Sequence, residues 1–568
     1  MQSVLFDTFV FFIFYFISLL SLVGYGKIGA LILGHRQNNS FYELFFFGLP
    51  FLMLLGFFVY VFIGYNFYIN IFIIILGLGI CLKHFGFSKS LAKQLKIPLL
   101  LFLGLLISKT HEDFHLYHYQ HLNEIVDGSL KFGMANLDGF VRYSYSSLFS
   151  YIQGFFYLPY FELKLFHVPL YLVYVCLCCF LFEIFKKHSN KKIKFISISI
   201  FIFLIVKFAR LSEFGYDYIA QFLLIFIIFQ FFVANHKNIH SLLAIISLFI
   251  FAVAVKITAI FFLPVIIYLL IKNKFHKVIF SKNKNILKSG IFIFLILSSI
   301  FGNSFIKTGC IFYPIKETCF GKEEVSWLVD YNKIEEHKEI AQKWAKGFFH
   351  TGTGAFQKEN PEEISEHIYA WVPFWLKNHF KNKILDFLIV LLLIFGLIFW
   401  NSKNKYFYKT NEKKYGLELV LASLAGLFFW FSILPQFRFG FSLIILLFAG
   451  LIYLFIGQLQ KFDVKKINLI IIIAIMFFNL KNVTRIYDSI NNRQDIHRYT
   501  NFPWFPTPKR EYSSTVKFEN SNDLFYKSST DRIATCFNLP TPCAHRGNAI
   551  KIKKGKFIRT YMIISRIE

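Results

Sequence analysis

FYELFFFGLPFLMLLGFFVYVFI, residues 41–63, carries a single charged side chain, Glu43. A helix of that length matches the hydrocarbon thickness of a bilayer, and a soluble domain could not hide so continuous an apolar surface. Comparable windows recur along the 568 residues, of which 56% are hydrophobic and 78 are phenylalanine, at a mean hydropathy of +0.53. The pattern predicts a polytopic membrane protein. The bias to Phe, Ile, Lys and Asn is that of an AT-rich bacterial genome and says nothing of function.

Outward from that window, spans are expected near 4–24, 41–63, 67–82, 96–109, 166–185, 194–210, 216–234, 240–254, 257–271, 286–302, 383–400, 416–434, 438–457 and 467–481. This is an all-α fold of about fourteen transmembrane helices with outer loops of mixed structure. The pair at 240–271 reads as two short helices hinged at Lys-Ile-Thr (256–258), because a single span would place one of its basic ends outside. The first run lacks a charged leader and a small-residue cleavage site, so it reads as a retained span. No internal repeat is visible, which disfavours an inverted-repeat transporter.

The formal net charge is +28, but the lysines cluster in short segments between apolar runs: 83–96, 186–194, 272–288, 403–414 and 461–466. That is the positive-inside pattern, and it places both termini outside. No basic, aromatic-interleaved patch on a soluble domain points to nucleic acid. The expected division is 1–109 N-terminal helices, 110–165 a first large periplasmic loop, 166–302 central helices, 303–382 a second periplasmic segment, 383–481 C-terminal helices and 482–568 a periplasmic tail.

Cysteines agree with this orientation. Cys81, Cys176, Cys178 and Cys179 lie in apolar runs and read as small buried hydrophobes. Cys310 with Cys319 and Cys536 with Cys543 form two close pairs, both in outer segments, where local disulfides persist.

HEDFHLYHYQH, residues 111–121, opens with the His-Glu-x-x-His pattern of a zinc protease. As a helix it would bring His111, His115 and His118 to one face. A Leu-Asp-Gly at 137–139 resembles the second motif of site-2 proteases. However, the first motif lies past the end of a span and the second follows in the same loop, and ten further spans would have no purpose. No metal site is therefore assigned, and a divalent cation is left compatible with the chemistry below.

A long first outer loop with an acid just after a span, followed by a second short acidic loop, is similar in layout to the GT-C superfamily of membrane glycosyltransferases. The second loop is FARLSEFGYDYIAQ (208–221), with Glu213 and Asp217 one turn apart. Asp113, Tyr117, His118, Gly133, Ala135, Asn136, Leu137, Arg142, Ser146 and Ser147 further resemble an uncharacterised family of bacterial polytopic membrane proteins, as do the cysteine segments. His115 stands where that family commonly has an acid.

The resemblance implies an inner-membrane enzyme that takes a sugar from a polyprenyl-phosphate donor and gives it to a glycan or lipid acceptor of the cell envelope. Asp113 is the expected base, with Glu112 as second candidate and His118 as its hydrogen-bond partner. Tyr117, Asn136, Arg142, Glu213, Asp217, Lys256 and Arg438 are the expected substrate-binding residues, and the cations among them would take the phosphate charge. Arg210, at a span end, is a further cation of this kind. Arg438, in PQFRFG, sits in so short a loop that its side chain must lie at the membrane's outer mouth. A lipid-linked glycan flippase or polymerase is the alternative, and cations buried mid-span would favour it.

Overall fold

A computed structural model gives the arrangement of the chain. It describes residues 2–35, 39–106, 117–138, 141–145, 147–207, 215–233, 239–273, 284–348, 370–405, 410–456, 458–491, 502–503, 514–517, 525–528, 541–544, 550–556 and 559–566. The fold is mostly helical. Its main helices are α1 (Gln2–Ile32), α2 (Phe41–Phe58), α3 (Phe67–Phe85), α4 (Tyr119–Val126), α5 (His167–Lys187), α6 (Lys191–Lys207), α7 (Asp217–Val233), α8 (Ile239–Val255), α9 (Leu263–Lys272), α10 (Lys284–Thr308), α11 (Tyr331–Ala345), α12 (Leu385–Trp400), α13 (Thr410–Ile433), α14 (Phe437–Phe455) and α15 (Val464–Asn491).

Among the described residues, nine stretches are long and apolar enough to cross a membrane: Val4–Ile32, Phe41–Ile63, Phe67–Phe85, His167–Lys187, Ile286–Thr308, Val372–Trp400, Lys413–Ile433, Phe437–Phe455 and Val464–Asp488. The other expected spans hold shorter helices among the described residues. Residues 96–106 form six α-helical residues and a five-residue 3-10 turn, and α6 begins and ends in lysine. Asp217–Val233, Ile239–Val255 and Ile257–Lys272 are apolar. α6 and α7 are buried along nearly their whole length.

The break expected at Lys256 is present. Its backbone is extended (φ −152°, ψ 122°), and a 3-10 turn over Ile257–Phe262 leads into α9, with Pro264 in the first turn, where its missing N–H costs nothing. Elsewhere helices approach closely through glycine. A Cβ on Gly26 of α1 would lie 1.8 Å from the Leu44 carbonyl oxygen of α2, and one on Gly24 would lie 1.9 Å from that of Gly77 in α3. Backbones in such contact are how helices associate where no hydrophobic effect drives them.

Contacts between helix ends sort the bundle into two faces. At the basic end, Gln230 donates to Glu43, Lys272 pairs with Glu418, and β2 (Ser402–Lys405) pairs antiparallel with β3 (Gln458–Phe462). At the loop end, Lys207 meets Asp386 and Trp375 donates to the Pro435 carbonyl. The loop end also carries the mixed structure. β1 (Leu130–Phe132) pairs in parallel with β8 (Thr560–Arg566), whose antiparallel partner is β7 (Ile550–Lys556). A second small sheet orders β4 (Ser514–Lys517), β5 (Phe525–Ser528) and β6 (Cys543–Ala544).

Gly133 joins three segments that are far apart in sequence. Its N–H donates to the Ile306 carbonyl, its φ is +76°, and a Cβ there would sit 2.2 Å from the Ile564 carbonyl oxygen. Only glycine meets both conditions. Cys310 and Cys319 are disulfide-bonded. Cys543 is also in a disulfide, while Cys536 lies outside the described residues.

Two outcomes follow. Single cysteines at Asn190 and Asp463 should react with an impermeant thiol reagent from one side of the membrane, and cysteines at Lys338 and Thr560 from the other. Equal labelling of both pairs in intact cells would refute the two-faced arrangement. Replacing Cys310 and Cys319 together by serine should cost about 2–4 kcal/mol of local stability, read by proteolysis of the 303–348 segment in detergent.

Candidate functional site

Asp217, Lys256 and Arg438 come from the first turn of α7, the break after α8 and the first turn of α14. Asp217 accepts from both cations, Lys256 Nζ at 2.9 Å and Arg438 Nη1 at 3.2 Å. One helical turn further along α7, Gln221 fixes this register. Its Nε2 donates to the Phe439 carbonyl, and its Oε1 accepts from the backbone N–H and hydroxyl of Ser442. Both cations thus share one carboxylate at the loop end of three helices.

Arg438 faces a cavity of about 220 Å³ whose lining includes Tyr218, Trp344, His379, Lys383, Phe387 and one acid, Asp386. The Arg438 guanidinium lies 4.8 Å from the centre of the Trp344 ring and 5.1 Å from that of Phe439, and its Nε donates to Gln436. A guanidinium stacked in this way keeps a fixed plane and a fixed direction for its donors. α11 carries the partly exposed Glu339–Lys343 pair, and Trp344 near its end reaches the cation.

Arg142 is placed differently from the expectation. Its Nε and Nη2 donate to the two carboxylate oxygens of buried Asp138 at 2.8 and 3.0 Å, and its backbone N–H donates to the same group. Burial works against the Arg142 charge, but the Asp138 carboxylate outweighs it and holds the pKa above the ordinary arginine value. His337 of α11 lies within electrostatic reach of Asp138, Arg142 and Lys256, and burial lowers its pKa. The two ion-paired groups are therefore neighbours. Tyr117 and His118 bridge them, the Tyr117 ring lying 5.4 Å from the Arg142 guanidinium and the His118 ring 5.1 Å from Tyr216, next to Asp217.

Asn136 bonds within the protein. Its amide nitrogen donates to the carbonyls of Trp327 and Ile564, each at 3.0 Å, so it fastens the 303–348 segment and the tail to the first loop. Glu112, Asp113, Glu213 and Arg210 lie outside the described residues, as do His111 and His115 of the His-Glu-x-x-His pattern. Asp138, the acid of the Leu-Asp-Gly, is engaged by Arg142. Among the described residues no group of three or more His, Cys, Asp or Glu could hold a metal ion.

A second charged cluster was not anticipated. Lys131 of β1, wholly buried, donates to the Glu124 carbonyl and pairs with the carboxylates of Glu124 and Asp127. Glu124 also accepts from Gln120 and from the backbone N–H of Cys543, and Asp127 from Thr541, which docks the tail. Burial pushes the Glu124 carboxyl up against the pull of Lys131. One turn before Glu124, His121 accepts from Lys307 Nζ at 2.8 Å. Burial, with Lys307 as the nearest like charge, holds His121 well below the usual histidine value. The signal in sequence was faint: Lys307 sits at the end of an apolar run, and the acids sit in a loop where solvation was the simpler reading.

A family model described as "Domain of unknown function (DUF8201)" matches residues 8–445. The chain belongs to that family. No curated protein and no solved structure matches it.

The buried histidine has a pH signature. Its neutral form is the one the fold accepts, so the stability it contributes is complete above the unfolded value of 6.5 and is lost as pH falls toward the depressed folded value. Tail protection in hydrogen exchange, at β8, should weaken as pH drops below that value. His121→Gln, which keeps an acceptor for Lys307 and cannot titrate, should flatten this part of the profile. Glu124→Ala should cost about 3–5 kcal/mol by leaving Lys131 short of a buried partner.

Proposed function

We propose that the chain is a GT-C-like glycosyltransferase that moves a sugar from a polyprenyl-phosphate donor to a glycan or lipid acceptor. In this reading all fourteen hydrophobic segments cross the bacterial inner membrane, and the loop end faces the periplasm. The observation that carries it is the Asp217–Lys256–Arg438 group, two cations on one carboxylate beside an aromatic-walled cavity at the loop end of the helices. An anionic headgroup on an apolar tail is the ligand such a site suits.

In the reaction, the acceptor hydroxyl loses its proton to a carboxylate as its oxygen bonds the anomeric carbon. The bond from that carbon to the phosphate oxygen breaks, and polyprenyl phosphate leaves with the electron pair. Asp113 is the proposed base, with Glu112 behind it. Asp113 precedes Tyr117 and His118 in the first loop, and those two bridge the ion-paired groups. Arg438 and Lys256 would take the leaving phosphate's charge, and the incoming anion would replace the Asp217 carboxylate on Arg438. Tyr117 and Arg142 form the neighbouring wall, whereas Asn136 acts through the assembly of the loop end. A divalent cation remains compatible with the undescribed acids.

A flippase is less well supported, because the buried cation Lys307 lies at the end of its helix and bonds locally to His121. A lipid-linked glycan polymerase would share the loop-end site and differ in acceptor.

The test is complementation of a deletion strain, read as surface glycan and as accumulated lipid-linked sugar. Arg438→Ala should reduce transfer by about 100-fold, as removal of one charge-stabilising donor does, and Arg438→Lys should recover only part of it. Asp113→Asn should be the most damaging single change, and His111→Ala should be mild. Full activity in Asp113→Asn, together with stoichiometric zinc that is lost in His111→Ala, would establish a metalloprotease instead.

A further inference from the structure

We propose that the β7–β8 hairpin is a binding site for anionic phospholipid headgroups, separate from the cavity at Arg438 and independent of the transferase reading. β7 reads IKIKKGK, and Lys551, Lys553, Lys554 and Lys556 are all exposed. In register with β8, Lys551 and Lys553 lie opposite Ser565 and Ile563, while Lys554 and Lys556 lie opposite Met562 and Thr560. Successive strand residues point to opposite faces, so the lysines form a basic rim and not one face. The strand order β1-β8-β7 puts that rim outermost.

The depth of the hairpin identifies the ligand. Arg559, just before β8, donates to the carbonyls of Tyr60 and Gly128, and its Nη1 lies 3.2 Å from where a Cβ on Gly64 would be. Gly64 belongs to the turn between the candidate spans Phe41–Ile63 and Phe67–Phe85. The hairpin's tip is thus fastened at the level where two spans leave the membrane. Phe62, Ile63, Phe67 and Tyr68 are exposed around the same turn, as in the aromatic belt of a membrane interface. Asp127, the acid within electrostatic reach of Arg559, is already engaged by Lys131 and Thr541. Lysines held at headgroup level attract anionic lipid over about a Debye length, and little beyond it. Lysines on an edge strand also block pairing with other strands, but that purpose does not require the tip to be tied to a span turn.

The full chain, with Thr560→Cys carrying a fluorophore, is reconstituted in nanodiscs of phosphatidylcholine and phosphatidylglycerol. The same headgroup-level quencher is carried on one lipid or the other. Quenching should be stronger from phosphatidylglycerol, should weaken in high salt, and should lose its lipid preference in the Lys551→Gln, Lys553→Gln, Lys556→Gln variant. Lys333→Gln with Lys338→Gln, on α11, should leave the preference intact. Equal quenching from the two lipids would overturn the proposal, as would a preference that survives the triple variant. Binding of dextran sulfate that needs these lysines, with no lipid preference, would also overturn it and make the ligand a soluble polyanion.

Discussion

A lysine side chain removed from solvent governs how the loop end is assembled. Lys131 has no exposed surface, and an ammonium in that position is tolerated only if its charge and its donors are met. Glu124 and Asp127 meet them from α4 and from the turn that follows it, and those two acids also hold Cys543 and Thr541 of the tail. β1 then offers its edge to β8, more than four hundred residues on. Removing one partner strands a charge and releases three segments together. The cluster is therefore a condition for the site as much as a support of the fold.

The Asp217 group follows the same rule at the membrane boundary. A cation at this depth is costly unless paired, so Lys256 and Arg438 share a carboxylate on a helix whose register Gln221 locks. Arg142 and Asp138 form a bidentate pair with the Asp138 side chain wholly buried, and their geometry favours holding the first loop in shape.

Seen in three dimensions, the family-like residues of the first loop divide by role. Gly133 and Asn136 make the junction between the first loop, the segment after α10 and the tail, and their chemistry is steric room and backbone bonding. Tyr117 and His118 lie between the two ion-paired groups. In sequence both pairs look alike, as polar residues in an acidic loop. A glycine at positive φ and an amide donating to two distant carbonyls leave no composition signal, because their partners are more than a hundred residues away.

The sequence by itself determined that the chain is a membrane protein, which end of each apolar run is basic, where the helix breaks at Lys256, and which cysteines pair at 310 and 319. Each of these is local, set by hydropathy over one window or by a short loop. It also singled out Asp217, Lys256 and Arg438, since charges at span ends are rare enough to be informative one at a time. The tertiary structure alone decided that these three share one site, that Trp344 stacks on it, and that Arg142 and Asn136 are engaged within the protein. It also decided which helices lie inside the bundle, since α6 and α7 are buried along nearly their whole length. Pairing of charges is a property of distance in space, and one-dimensional spacing does not contain it.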